Sequence, residues 1–201
     1  MGGFERMFCA CALVVLGGAL APAALADSGK GQEPKTPAPA AERQARARAV
    51  VPLSRLHHVA QREIALGLLA QVAAFRPETV RFATDLETDF RVLDRHILAI
   101  AEALGIDDDR LRQAFAADDG GALKGQEEDL DRLSMIRGAD FDRRFWPTVA
   151  RDQRAASALL AAASGTVPSL DPLIAETVRL LDRSIRRATA AQTESNPRPV
   201  R

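Results

Sequence analysis

Four side chains that could ligate a cation or move a proton fall where helices should be apolar: Glu63, Asp89, His96 and Asp152. Glu63 stands at the centre of a stripe of Leu56, Val59, Ala60, Leu66, Gly67 and Ala70, spaced by three and four residues. Asp89 and His96 fall within a second stripe, Phe82, Leu86, Leu93, Ile97, Ile100 and Leu104, with Asp85 at its edge. Asp152 lies in the middle of a third, formed by Phe141, Phe145, Val149, Ala156, Leu159 and Ala163. A fourth stripe, Leu170, Leu173, Thr177, Leu181 and Ala188, carries Ser184. Carboxylates and imidazoles projecting from facing helices are how helical bundles hold metal ions. The same groups, when they hold no ion, need arginine, hydrogen-bond or water partners, because an unpaired buried charge is costly.

The second chemistry fits this sequence better. Di-metal bundles use Glu-x-x-His on two helices, and the chain has no such motif. Its three histidines are His57, His58 and His96. His57 and His58 are adjacent, so on a helix they diverge by about 100° and cannot both face one core. Asp89 and His96 are about two turns apart, too far for a direct dyad, so each is expected to make its own contact across helices. Candidate partners for Asp89 are His96, an arginine or Ser184. Nucleophile triads, glycine-rich phosphate loops and Cys/His clusters are missing. The reading is therefore a non-enzymatic protein with a binding or envelope stress-related role, with no catalytic residue and no cofactor. Metal binding by a degenerate set of Glu63, Asp89, His96 and Asp152 is the alternative.

These residues need helices to position them. Aromatic residues make up 4% of the 201, tyrosine is absent, and Ala and Leu dominate, which favours helix over strand. A first helix is expected from about Ser54 to Phe75, after Pro52. A second starts at Pro77, with Glu78 in its first turn, and ends at Gly105. Asp107-Asp108-Asp109 reads as a cap for a short helix through Phe115, because calcium loops need spaced ligands and a terminal Glu. Asp118-Asp119-Gly120-Gly121 reads as a turn. A short helix from about Gly125 to Arg137 precedes a longer one from about Ala139, in which Pro147 implies a kink or a late start. Gly165 and Pro168 end it, and a last helix runs from about Ser169 to Ala191.

Residues 1–26 have the pattern of an export signal: Arg6, the apolar run Met7–Leu20, and Ala24-Leu25-Ala26 as a small-x-small cleavage site. Retained, the same run is about long enough for a membrane anchor. Residues 27–51 are rich in Pro, Gly, Ala and charge and read as a disordered linker, whose Ala40–Ala49 part can extend into helix. The bundle domain is expected over 52–191, and residues 192–201 as a disordered tail. Both cysteines, Cys9 and Cys11, fall in the signal, so the cleaved protein has no thiol. With 27 basic and 27 acidic side chains, the charge balance gives no support for a nucleic-acid partner. The expected setting is the periplasm or cell envelope, with an envelope partner and no integral membrane span once the signal is removed.

Arg91-Val92-Leu93-Asp94-Arg95-His96-Ile97 and Arg179-Leu180-Leu181-Asp182-Arg183-Ser184-Ile185 match closely, as duplicated helical hairpins would. Four long helices, short turns within each hairpin and a longer connection between hairpins predict an all-α, ferritin-like four-helix bundle. Its long crossover would carry the short extra helices.

Leu56-His57-His58, Glu63-Ile64, Pro77-Glu78, Phe82-Ala83 and Asp89, followed by Phe141-Asp142-Arg143 and Arg151-Asp152, resemble a bacterial exported family, domain of unknown function 4142. The resemblance covers about Leu53 to Ala190, and its best signature is Phe-Asp-x-x-aromatic, here ending at Phe145. It implies a ferritin-like helical bundle outside the cytoplasm. The family commonly carries histidine where this chain has Phe90, Gln153 and Ser184. If those histidines bind metal or carry protons, the resemblance implies that this member has lost the capacity.

Overall fold

Helix α1, Ala40–Ala73, turns through residues 74–76 into α2, Pro77–Ala103, and among the described residues the two form the most extensive helix pair. The structure is a computed structural model that describes residues 40–118 and 124–195. The expected signal, the linker before Ala40, the turn residues 119–121 and the end of the expected tail lie outside the described residues. Helices α3 (Asp108–Ala117) and α4 (Lys124–Ser134) follow, and then α5 (Gly138–Ala163). A 3-10 turn, Pro168–Leu170, leads to α6, Asp171–Ser195. The result is an all-α helical bundle. Among the described residues the only bridge of β type is a parallel one between Ala74 and Gly138.

α5 packs along α6 as α1 packs along α2, and α1 also lies against α5. α3 lies on α1, and α4 sits against α5 and α1. The core joins residues from both long pairs, including Leu56, Leu66, Phe90, Ile97, Phe141, Phe145, Leu160 and Leu181. At one end Phe82 meets Phe145 and Trp146 edge-on, and Phe141 stacks on Phe145 at 5.3 Å. The small residues of α1 allow its close approach to α2. A Cβ on Gly67 would stand 2.7 Å from Glu87 Cβ and 2.8 Å from the Ala83 carbonyl oxygen.

The linker expected through Val51 ends earlier, because α1 begins at Ala40 and carries Pro52 inside it. Proline removes one hydrogen bond from a helix interior. Here the loss is offset by contacts further back: Ala49 and Val50 are buried, and Arg46 donates to the Gly105 carbonyl at the end of α2. Pro147 likewise lies within a continuous α5. α6 continues past the expected boundary at Ala191 to Ser195. Gly105 adopts φ 67°, and the Ile106 amide then bonds back to the Ala101 carbonyl at 2.8 Å, closing α2 where its glycine predicted. Asp107 caps α3 by accepting from the Arg110 amide at 2.8 Å.

The phase of α2 differs from the sequence reading, and this corrects two site residues. Its buried face is Thr79, Phe82, Ala83, Leu86, Phe90, Leu93, Asp94, Ile97 and Ala101. That face is rotated by roughly 45° from the stripe centred near Leu93 and Ile100. Extensive packing against α1 draws in Ala83, Phe90, Asp94 and Ala101 on one flank. Asp89 is therefore only half-buried, and His96 is exposed.

Candidate functional site

The expected polar seam divides into separate arrangements. Glu63 of α1 and Ser184 of α6 are both buried, and Gln153 of α5 joins them. Gln153 Nε2 donates to Glu63 Oε2 at 2.7 Å and to Ser184 Oγ at 3.1 Å. Burial lifts the Glu63 carboxyl to about 7, against the Gln153 hydrogen bond and the Arg62 charge, with Asp152 adding to the lift.

Asp152 faces the opposite flank of α5. It accepts from Arg62 at 2.5 Å and from Arg151 Nε at 2.9 Å, with Arg62 also donating to the Gln126 carbonyl at 2.6 Å. Burial raises the Asp152 carboxyl above its ordinary range, while Arg62 and Arg151 draw it back. This pair ties α4 and α5 to α1.

Asp89 lines a small cavity of about 20 Å³ with Phe82, Phe90, Ser184, Arg183 and Arg187. Desolvation raises its carboxyl, Arg183 and Arg187 act against that rise, and Asp85 reinforces it. Arg187 itself pairs with Asp85 at 2.9 Å and lies over the Phe82 ring at 4.9 Å. His96, exposed on the outer face of α2, joins none of these. Glu63, Asp89, His96 and Asp152 thus do not converge, and among the described residues no group of three or more His, Cys, Asp or Glu could hold a metal ion.

The arrangement best suited to bind something lies elsewhere, under α3. A groove of about 380 Å³ is lined by Ser54, His57, His58 and Gln61 of α1, Leu98 of α2, and Asp108, Leu111, Arg112 and Phe115 of α3. His57 is buried, with Nδ1 2.7 Å from Asp94 Oδ1 and Nε2 3.0 Å from Asp108 Oδ1. Gln61 Nε2 holds the other oxygen of Asp94 at 2.6 Å. His58 stacks flat on Phe115, with ring centroids 3.6 Å apart. Desolvation first, then the charges of Arg62 and His57, push the His58 imidazole down to about 4. Both histidines therefore line one groove, because α3 covers the flank into which their 100° divergence would otherwise open.

The sequence reading passed over Asp94, although it held the signal. Asp94 lies in the repeated Arg-x-Leu-Asp-Arg-x-Ile heptapeptide, and its counterpart Asp182 accepts from Ser157 of α5 at 3.3 Å. Each repeat thus places an aspartate of the second helix of its hairpin against the first.

A family model matches residues 34–191, most of the chain. The chain belongs to the family described as Domain of unknown function (DUF4142). No curated protein and no solved structure matches it. In this DUF4142 chain the Phe-Asp-x-x-aromatic signature has a structural role. Asp142 Oδ2 accepts from the backbone amides of Phe75 at 3.2 Å and Arg76 at 3.0 Å, so α5 caps the turn that starts α2. Its two aromatic members, Phe141 and Phe145, are fully buried beneath that turn. The three positions at which the DUF4142 resemblance implied histidine are all buried. Gln153 and Ser184 bond each other, and Ser184 and Phe90 line the same small cavity.

Proposed function

We propose that the protein is an exported, ferritin-like four-helix bundle with a long crossover, and that it is a non-enzymatic binding protein. Its ligand is a small molecule held in the groove between α1, α2 and the crossover helix α3. The observation that carries this reading is the groove itself, whose volume of about 380 Å³ lies in the range of small-molecule sites. It combines an apolar floor of Leu98, Leu111 and Phe115 with convergent polar groups, and His58 Nε2 is buried there without a hydrogen-bond partner. The polar seam supports the same reading from the other direction. Glu63, Asp152 and Asp142 hold neighbouring helices, and none is left facing an open site. Ser54, the one hydroxyl in the groove, donates to the Val51 carbonyl at 2.8 Å on its own helix. The export-signal pattern in the sequence of residues 1–26 supports an envelope setting, and among the described residues no helix is long and apolar enough to cross a membrane.

The test is a fragment screen by NMR on residues 27–201, using small amines, carboxylic acids and heteroaromatic compounds. Fragments that bind are expected to shift the ring signals of His57, His58 and Phe115 together. Binding confined to other surfaces, or no binding in the screen, would overturn the assignment.

A further inference from the structure

Resting on that reading of the groove, we propose that its ligand is an organic amine, bound as the ammonium. Its N–H groups turn to Asp108 Oδ1 and His58 Nε2, and its apolar body lies on Leu98, Leu111 and Phe115.

Two polar atoms of the groove are buried with no hydrogen-bond partner, Asp108 Oδ1 on α3 and His58 Nε2 on α1. The rest of Asp108 is accounted for, because its Oδ2 holds Arg112. His57 Nε2 lies 3.0 Å from Asp108 Oδ1, yet no hydrogen bond joins them. His57 is engaged instead through Nδ1, which sits 2.7 Å from Asp94 Oδ1, and Gln61 holds the second oxygen of Asp94. Asp108 Oδ1 is thus a buried carboxylate oxygen with no donor in the protein, an arrangement folded proteins rarely leave unfilled.

His58 sets the kind of group that is missing. Stacked on Phe115 and held near 4 by desolvation, its ring is uncharged at neutral pH and can present a lone pair at Nε2. A carboxylate oxygen and an imidazole lone pair are both acceptors, so a donor satisfies them. An ammonium brings three N–H donors and the charge opposite to Asp108.

An anion fits this groove poorly. Among the described residues Arg112 is the only arginine or lysine lining it, and both terminal nitrogens of Arg112 are taken, one by Asp108 Oδ2 and one by Asp109 at 2.6 Å. An anionic group would meet Asp108 with no free cation beside it. A metal ion fits no better, since among the described residues no group of three or more His, Cys, Asp or Glu could hold one. The remaining wall asks for carbon: Leu111 is fully buried, with Leu98 and Phe115 lining the groove beside it.

Three matched probes test the assignment on the purified protein at neutral pH: phenethylamine, phenethyl alcohol and phenylacetate. Each is titrated while NMR follows the ring signals of His57, His58 and Phe115. The amine is expected to bind roughly tenfold or more tighter than the alcohol, the size of one charge-assisted hydrogen bond, with phenylacetate weakest. Asp108→Asn should abolish that preference while the alcohol binds as before, which shows the groove intact. Asp109→Asn removes an equal charge from outside the groove and should keep the preference. Equal affinity for amine and alcohol, tightest binding of phenylacetate, or zinc ion displacing the amine from the same signals would overturn the amine and leave the groove standing. So would a preference that persists in Asp108→Asn or is lost equally in Asp109→Asn. Failure of all three probes to shift the ring signals would overturn the groove assignment itself.

Discussion

Gln153 donates to Glu63 at 2.7 Å across the contact between α5 and α1, and both side chains are buried. The pair makes stability depend on pH with a definite sign. Burial raises Glu63 from an ordinary 4.5 to about 7, so the folded protein binds this proton more tightly than the unfolded chain. The contribution is fully present below about pH 4.5 and is lost as pH rises through about 7. Its size is on the order of 3 kcal/mol. Glu63→Gln retains an oxygen for Gln153 and carries no proton to lose. The variant should match the wild type near pH 5 and exceed its unfolding midpoint near pH 8. Parallel pH profiles for the two proteins in urea denaturation would show that Glu63 does not titrate in this range.

Two carboxylates that face arginine, the buried Asp152 and the half-buried Asp89, should respond in opposite ways when removed. Asp152 pairs with Arg62, whose side chain is only 5% exposed, so Asp152→Ala leaves a guanidinium stranded in the core. A cost of about 3–5 kcal/mol is expected by denaturant unfolding. Asp89 faces Arg183 and Arg187, both exposed. Asp89→Leu therefore releases its partners to water and should leave the thermal midpoint unchanged or raise it. A large loss in Asp89→Leu would mean that one of these arginines depends on Asp89.

Asp142 holds two backbone amides with one carboxylate oxygen. Asp142→Ala should cost about 1 kcal/mol, the effect of losing the acceptor of two part-buried donors at a helix start. Asp142→Asn keeps a neutral acceptor and should recover part of that loss. Amide exchange at Phe75 and Arg76, measured beside global stability, separates a local effect at the turn from general weakening.

Gly67→Ala places a methyl group 2.8 Å from the Ala83 carbonyl, which is backbone and cannot rotate away. α1 and α2 must then separate, at a cost of about 1–3 kcal/mol. Gly125→Ala, at a glycine with open space around it, is the control and should not destabilise.

Much of the helical order was legible because its punctuation is local: Pro77, Gly105, Asp107 and Gly165 mark ends through their own backbone preferences. The start of α1 was legible only as an option, the helical extension of Ala40–Ala49, since nothing near Ala40 announces that Arg46 will meet Gly105, 59 residues away. The site divides the same way. Glu63 and Asp152 were found as charges on apolar stripes, and both are buried. His96 was misplaced because a helix packed on one flank more than the other buries a rotated face, and periodicity cannot register that rotation. Asp94 was missed for the same reason, and its partners His57 and Asp108 come from helices that only tertiary structure brings together.

The bridge between Ala74 and Gly138, with Asp142 reaching back to Phe75 and Arg76, has a consequence for how the chain could be divided. The first helix pair cannot complete its own turn; it borrows an acceptor and an aromatic floor from the second. Two peptides made by cutting between α3 and α4 should each be poorly ordered alone, yet should reassemble when mixed. Reassembly would mean that, whatever duplication the matching heptapeptides record, each half serves as a template for the other.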